Sequence, residues 1–356
     1  MANFFKIKKN YIGQNYPIYF IADIAANHDG DINRAIKLIK LAKDSGANAV
    51  KFQHHNVKKY VNEKGFLDLG SKFSHQKKWK KSVYQVYKEA EVPKDWTPIL
   101  KKFSDKIGID FFSTAYDLDM VDHLDKYVSA YKVGSGDINW MRMIEKVSNK
   151  NKPIFIATGA STFDEIKNVV KFLQRRKAKF CLMQCNTNYT GSLDNFSYIN
   201  LNVLKTFSKK FKNIILGLSD HTPNDETVLG ACSLGISAVE KHFTDNIKRP
   251  GPDHPFSMDP ATWKKMVAST RLLEKALGDG IKKVEKNEKE TVVLQRRSVR
   301  AICNISKGEK LTLAKIEFQR PCPKDAIKPN DLNRFLNKNL RKVLKVNDYL
   351  TKSHFK

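Results

Sequence analysis

Two stretches of the chain end in residues able to do chemistry. The apolar run Ile214 to Leu218 leads into Ser219-Asp220-His221, and the run Ile236 to Val239 leads into Glu240-Lys241-His242. A helix-like segment, about residues 224–234, lies between them, so the pair reads as a β-α-β unit with parallel strands. Histidines closing adjacent parallel strands lie at one end of the sheet, and Asp253 follows in a Gly-Pro-rich loop. Two imidazoles and a carboxylate converging there could hold a divalent metal. Equally, they could be strand-end histidines satisfied by ordinary hydrogen bonds. A second set is cationic. Lys51, Lys132 and Lys241 lie within or at the edge of apolar runs, where an ammonium is costly without an anion. Together with strand-end hydroxyls they would make a pocket for phosphate or carboxylate. The alternative is a buried ion network with Asp23, Asp137 and Glu240.

These residues need a scaffold that gathers strand ends, and the rhythm of the chain supplies one. After a weakly alternating segment from Phe4 to Gln14, read as a short hairpin, the strand Ile18 to Asp23 precedes the helix Ile32 to Ser45. The strands Ala49 to Gln53, Ile109 to Thr114, Ala130 to Gly134, Pro153 to Thr158 and Phe180 to Gln184 follow, then the two opening runs. Helical stretches separate them: Trp96 to Ile107, Met120 to Leu124, Met141 to Ser148, Thr162 to Arg175 and Ile199 to Phe207. Pro260 to Leu277 closes the series. Eight strand-helix units predict a closed (β/α)8 TIM barrel. A doubly wound open sheet would favour a Gly-rich dinucleotide loop after the first strand; ADIAANHDG stands there instead. A barrel places its site at the C-terminal strand ends, which here carry Asp23, Lys51, Gln53, Thr114, Lys132, Ser135, Ser219, His221, Glu240 and His242. A loop over about residues 54–80, with Gly65, Gly70 and Ser74-His75-Gln76, is long enough to be functional.

Composition narrows the partners. The net charge is +27, but the lysines are spread along the whole chain without a nucleic-acid motif, so specific nucleic-acid binding is not expected. An anionic small substrate fits the positive field as well. No run of 18 apolar residues suggests a membrane span, and the N-terminus lacks a secretory pattern. The five cysteines form no CxxC pair and read as free thiols in a reducing cytoplasm. The chain divides into an N-terminal hairpin cap (1–16), a barrel (17–280), a charged linker (281–293) and a small β-rich domain (294–356) with a short helix from Asn330 to Leu340.

The ordered segments FIADIAANHDGD, NAVKFQ, YKVGSGD, GLSDHT, AVEKHFT and RPGPDHPFSM resemble the sialic acid (N-acetylneuraminate) synthase family, and the tail resembles that family's antifreeze-like (SAF, β-clip) domain. The resemblance implies a C–C bond-forming transferase that condenses phosphoenolpyruvate with an N-acyl hexosamine, giving a nonulosonic acid and phosphate. It implies a divalent metal, manganese or else magnesium or cobalt, with His221 and His242 as ligands. It further implies that Lys51, Thr114, Lys132, Ser135 and Ser219 hold phosphoenolpyruvate. Gln53, Asp137, Tyr189 and Glu240 would face the sugar, and Asp23, Asp253 and Glu240 would serve catalysis. Arg320 would reach the acyl group in a partner subunit's site, implying a domain-swapped homodimer. The sequence departs from the family where Asp23 and Asp137 each replace a glutamate and Ala157 replaces a serine. Asn186-Thr187-Asn188 also replaces the usual residues before Tyr189. The resemblance implies N-acetylmannosamine as acceptor, and these departures on the sugar side point instead to a related 6-deoxy diacetamido hexose. The alternatives are a related synthase using another aldose and a non-catalytic sugar- or anion-binding homologue.

Overall fold

The eight apolar runs form the eight staves of a barrel. The structure, a computed structural model, describes residues 3–70, 76–77 and 79–356, so Ser74 and His75 of the long loop lie outside the described residues. Two antiparallel strands come first, β1 (Phe4–Ile7) and β2 (Asn10–Gly13). Then follow β3 (Tyr19–Asp23), β4 (Ala49–His54), β5 (Asp110–Ala115), β6 (Tyr131–Val133), β7 (Ile154–Ala157), β8 (Phe180–Cys185), β9 (Ile215–Asp220) and β10 (Ala238–His242). These pair in parallel, each with the next, and β10 closes on β3. The chain is a (β/α)8 barrel with surrounding helices.

Alternation along each strand sorts residues to two sides. Outward residues such as Phe20, Val50, Phe111 and Val239 pack with the helices in one large cluster. Inward residues Tyr19, Ile21, Ala49, Phe112, Phe155, Met183 and Ile215 fill the barrel, joined by Phe5, Ile7 and Ile12 of the hairpin. The Phe5 ring meets Phe155 edge-on at 5.8 Å, so the hairpin stoppers the N-terminal end. Helix starts carry their own signals. Thr162 and Glu165 form a capping box on Phe163–Arg175, and Asp259 caps Pro260–Leu277 with proline in its first turn.

Several elements differ from the sequence expectation. β9 and β10 run on through Asp220 and His242, because their charged residues find partners on one side or the other of the sheet. A 3-10 turn, Leu193–Tyr198, precedes the helix Val203–Lys210. The long loop contains two short helices, Val57–Tyr60 and Glu63–Asp68, each started by an asparagine cap.

The chain separates into two units, Met1–Gly278 and Asp279–Lys356. Within the second, the segment expected as a linker carries the short helix Lys289–Gln295, with no buried residue. Strands β11 (Ser298–Ala301) and β12 (Ile316–Gln319) pair antiparallel beside a core that includes Val299, Ile305, Leu311, Leu344 and Leu350. The helix expected from Asn330 to Leu340 is only a 3-10 segment, Pro329–Arg334; Asn337 has a φ of 63°, which an α-helix does not admit. Among the described residues no helix is long and apolar enough to cross a membrane.

Candidate active site

Strand register brings the charged residues together. Asp23 pairs with Lys51 and with His242, Thr114 with Lys132, and Ser219 with Glu240. All point into the barrel at its C-terminal end and all are buried. Lys51 Nζ lies 2.7 Å from Asp23 Oδ2, 3.8 Å from Glu240 Oε1 and 3.4 Å from Thr114 Oγ1. Lys132 Nζ donates to Glu240 Oε1 at 3.0 Å, and Ser219 Oγ donates to the same oxygen at 3.1 Å. Gln53 Nε2 donates to Asp23 Oδ2 at 3.1 Å. Glu240 Oε2 is buried with no hydrogen-bond partner among the described residues. A buried carboxylate oxygen left bare is costly, and such groups mark places where a ligand completes the set.

The electrostatics follow from burial and pairing. Burial opposes the charge on Glu240, yet Lys132 and Lys51 hold its pKa at about 2. Burial also opposes the Lys51 ammonium, but Asp23 and Glu240 prevail and raise its pKa. For Asp23 burial wins over the lysines and pushes the carboxyl up. Asp137 sits apart: among the described residues no lysine pairs with it, and burial raises its pKa to about 6.

His221 and His242 stand side by side, ring centroids 5.3 Å apart. Burial lowers their pKa values to about 3 and about 4, so both rings are neutral. His221 Nδ1 donates to the Asn186 carbonyl at 2.8 Å, which leaves the Nε2 lone pair available. Among the described residues His242 Nδ1 is buried without a hydrogen-bond partner, 3.9 Å from Asp253 Oδ2. Among the described residues no group of three or more His, Cys, Asp or Glu side chains is arranged to hold a metal. The two neutral imidazoles are the donors the site offers. Asp253 is fixed by the backbone N–H of Ala26, which donates to its Oδ2 at 3.0 Å.

The structure brings most of the expected residues together. Asp23, Lys51, Gln53, Thr114, Lys132, Ser219, Glu240, His221 and His242 share the barrel mouth, and Tyr189 packs on His221 at 4.4 Å. Ser135 is nearby, its Oγ accepting from the Gly159 N–H at 2.9 Å. A Cβ at Gly159 would meet Thr187 at 2.5 Å and the Ser135 hydroxyl at 3.0 Å, so only glycine fits there. Lys241 is the exception among the lysines. It points outward between Glu240 and His242, ion-pairs with Asp220 and donates to the Thr222 carbonyl at 2.6 Å. Its neighbours of opposite parity face in, so a period of two separates it from the site. Arg320 belongs to the second unit, directly after β12.

Other features carried no signal in the sequence. A cavity of about 90 Å³ beside Gln53, His242 and Asp253 is walled by His55, Tyr60, Tyr87 and Tyr116. Asp29 ties the mouth loops together by accepting from His254 Nε2 at 2.9 Å while ion-pairing with Arg34 and Arg249. The tyrosines come from three separate segments, and only folding assembles them.

A (β/α)8 barrel whose mouth gathers two buried lysines, their carboxylates and a pair of neutral imidazoles defines an enzyme-type scaffold for anionic substrates. A model of the NeuB family matches residues 38–282. The chain belongs to the NeuB family. It is 37% identical over 318 residues to an uncharacterised protein of Methanocaldococcus jannaschii, covering 89% of this chain and 88% of that one. It is 34% identical over 308 residues to the N,N'-diacetyllegionaminic acid synthase of Campylobacter jejuni, covering 85% and 90%. The crystal structure of the N-acetylneuraminic acid (sialic acid) synthetase of Leptospira borgpetersenii superposes with a TM-score of 0.73 at 28% identity, covering 82% of this chain and 96% of that one.

Proposed function

We propose that this chain is a nonulosonic acid synthase, condensing phosphoenolpyruvate with an N-acyl hexosamine, either N-acetylmannosamine or a 6-deoxy diacetamido hexose. The observation that carries it is the pair of buried ammonium groups, Lys51 and Lys132, at the same barrel mouth as two neutral imidazoles. Phosphoenolpyruvate brings a carboxylate and a phosphate. Lys51 and Lys132, with the hydroxyls of Thr114, Ser135 and Ser219, hold these two anions by charge-assisted hydrogen bonds. The enol π pair at C3 attacks the sugar aldehyde carbon, and the carbonyl pair moves to the aldehyde oxygen, which takes a proton. Asp23, bonded to Lys51 and Gln53, is assigned to that transfer. C2 then takes water, which loses its proton, and the C2–O bond breaks to release phosphate and leave the keto acid. Glu240 Oε2, bare in the buried mouth, accepts from a sugar hydroxyl. His221 and His242 would hold a divalent metal, manganese in this reading, with Asp253 beside them. Such an ion supplies Lewis-acid polarisation of the aldehyde oxygen when bound. A second copy lending Arg320 to the acyl group belongs to the same reading, as does a reducing compartment for the free cysteines.

The test is phosphate release from phosphoenolpyruvate with manganese and a panel of N-acyl aldoses. Aldose-dependent release is expected, and none across the panel would refute the synthase reading. Mixing Arg320→Ala with Asp23→Ala protein should recover part of the activity if the copies share sites.

A further inference from the structure

Asp23 and Asp253, both expected to serve catalysis, are held by consecutive backbone N–H groups of one turn. Ala25 N–H donates to Asp23 Oδ1 at 3.1 Å, and Ala26 N–H donates to Asp253 Oδ2 at 3.0 Å. The same Asp253 oxygen lies 3.9 Å from His242 Nδ1. A constraint on this 3-10 turn, Ala25–His28, is therefore a constraint on both carboxylates. The turn is not relaxed. Ala25 has a φ of 45°, a left-handed conformation that an alanine keeps only when its surroundings impose it.

Asp29 supplies that constraint. Its N–H donates to the Ala26 carbonyl at 3.1 Å, closing the turn. Its Oδ1 accepts at 2.9 Å from Nε2 of His254, the residue after Asp253. The His254 ring is fully buried, and its Nδ1 meets Thr244 Oγ1 at 2.7 Å. Gly251 packs so closely on that ring that a Cβ there would come within 2.6 Å of Cδ2. Arg34 and Arg249 each stand 3.0 Å from Asp29 Oδ2. Burial pushes the Asp29 carboxyl up, but His254 and the two arginines hold it below the usual carboxylate range. Asp253 thus belongs to a closed ring: its carboxylate is bonded to Ala26, Ala26 to Asp29, and Asp29 to His254, which the chain joins back to Asp253. We propose that Asp29 is a positioning residue: acting through His254 and the Ala26 N–H, it sets the place of the Asp253 carboxylate in the barrel mouth. The proposal rests on the synthase reading for the use made of Asp253.

The first measurement does not depend on turnover. In the full chain with isotope-labelled alanine, hydrogen exchange of the Ala26 amide, followed by NMR, reports whether Asp253 is in place. Asp29→Gly removes the carboxylate and suits the φ of 52°, and it should speed that exchange by about 10-fold or more. Asp29→Asn keeps an acceptor and should stay within about 3-fold of the unaltered protein. Asn27 Nδ2 still joins the two loops by donating to Ser257 Oγ and to the Phe243 carbonyl, each at 2.9 Å, so Asp29→Gly is expected to fold. Should it not, His254 cuts the same link from the other side. His254→Asn is too short to reach Asp29 and should speed the exchange, whereas His254→Gln brings an amide N–H toward the place of Nε2 and should restore protection. In phosphate release, Asp29→Gly should lower kcat by about 10²-fold and leave KM for phosphoenolpyruvate within about 3-fold. In an Asp253→Ala background the same change should cost less than about 3-fold, because the group it positions is gone. Unchanged Ala26 exchange in folded Asp29→Gly or His254→Asn, or an undiminished further loss in the Asp253→Ala background, overturns the proposal. Absent phosphate release from the unaltered protein with every aldose would instead count against the synthase reading, and the exchange measurement then decides the positioning alone.

Discussion

The barrel interior holds two layers built on the same strands, and they could hardly differ more. Toward the N-terminal end, Tyr19, Phe112 and Phe155 pack ring against ring, Phe112 and Phe155 at 5.4 Å, sealed by the hairpin. One pleat repeat further, the inward positions are Asp23, Lys51, Thr114, Lys132, Ser219 and Glu240. The lower layer gains from removal of apolar surface from water, roughly 25 cal/mol per Å². The upper layer gives this up for buried charges, whose desolvation is repaid only by close partners. The lower layer is close to complete, whereas the upper one leaves Glu240 Oε2 and His242 Nδ1 without hydrogen-bond partners among the described residues. The comparison teaches that a strand can be structural at one inward position and chemical two residues later.

The contrast can be broken by moving function into the wrong layer. Lys132→Ala is expected to lower kcat/KM for phosphoenolpyruvate by about 10³-fold or more, some 4 kcal/mol, while circular dichroism stays native. Phe155→Ala should do the reverse, losing about 3–5 kcal/mol in urea unfolding with per-molecule activity kept below the transition. If Phe155→Ala abolishes activity in protein that remains folded, the two layers are not separable. Lys241→Ala sharpens the point, because this lysine sits one residue from Glu240 but faces out. It should lose about 3 kcal/mol of stability, leaving Asp220 buried with Thr222 and Thr227 as its partners among the described residues, and keep its kcat/KM. The effect of Asp137→Asn depends on pH. The folded carboxyl has its pKa raised from 3.8 to about 6, so the folded state binds the proton more tightly and stability falls as pH rises through that window. Removing the charge should therefore stabilise the protein at pH 7.5 by up to about 3 kcal/mol, and hardly at all at pH 3. Thermal unfolding at the two pH values checks the sign.

Much of the fold was legible because the barrel repeats one local pattern. Ile154–Ala157 is an apolar run of strand length, and Trp96–Ile107 has helical periodicity ending at Gly108, whose φ of 70° suits only a helix stop. Elements that differed were set by local chemistry too weak to read, such as the left-handed Asn337 or the charged ends of β9 and β10. The site was legible where charge interrupts an apolar run, as at Lys51 and Lys132. It misled at Lys241, since a lysine in an apolar run looks the same whichever side of the sheet it faces.

The sequence by itself determined that strands would alternate with helices, which residues would be carried at strand ends, and the family to which the chain belongs. Tertiary structure decided which of them meet. Pairing is long-range: Asp23 finds Lys51 when β3 pairs with β4, it finds His242 only when β10 closes on β3, and Lys132 reaches Glu240 across 108 residues of chain. It also decided the state of His55. No local pattern tells that its Nε2 will face the Tyr87 carbonyl, because a histidine's tautomer is fixed by neighbours that only the closed fold provides.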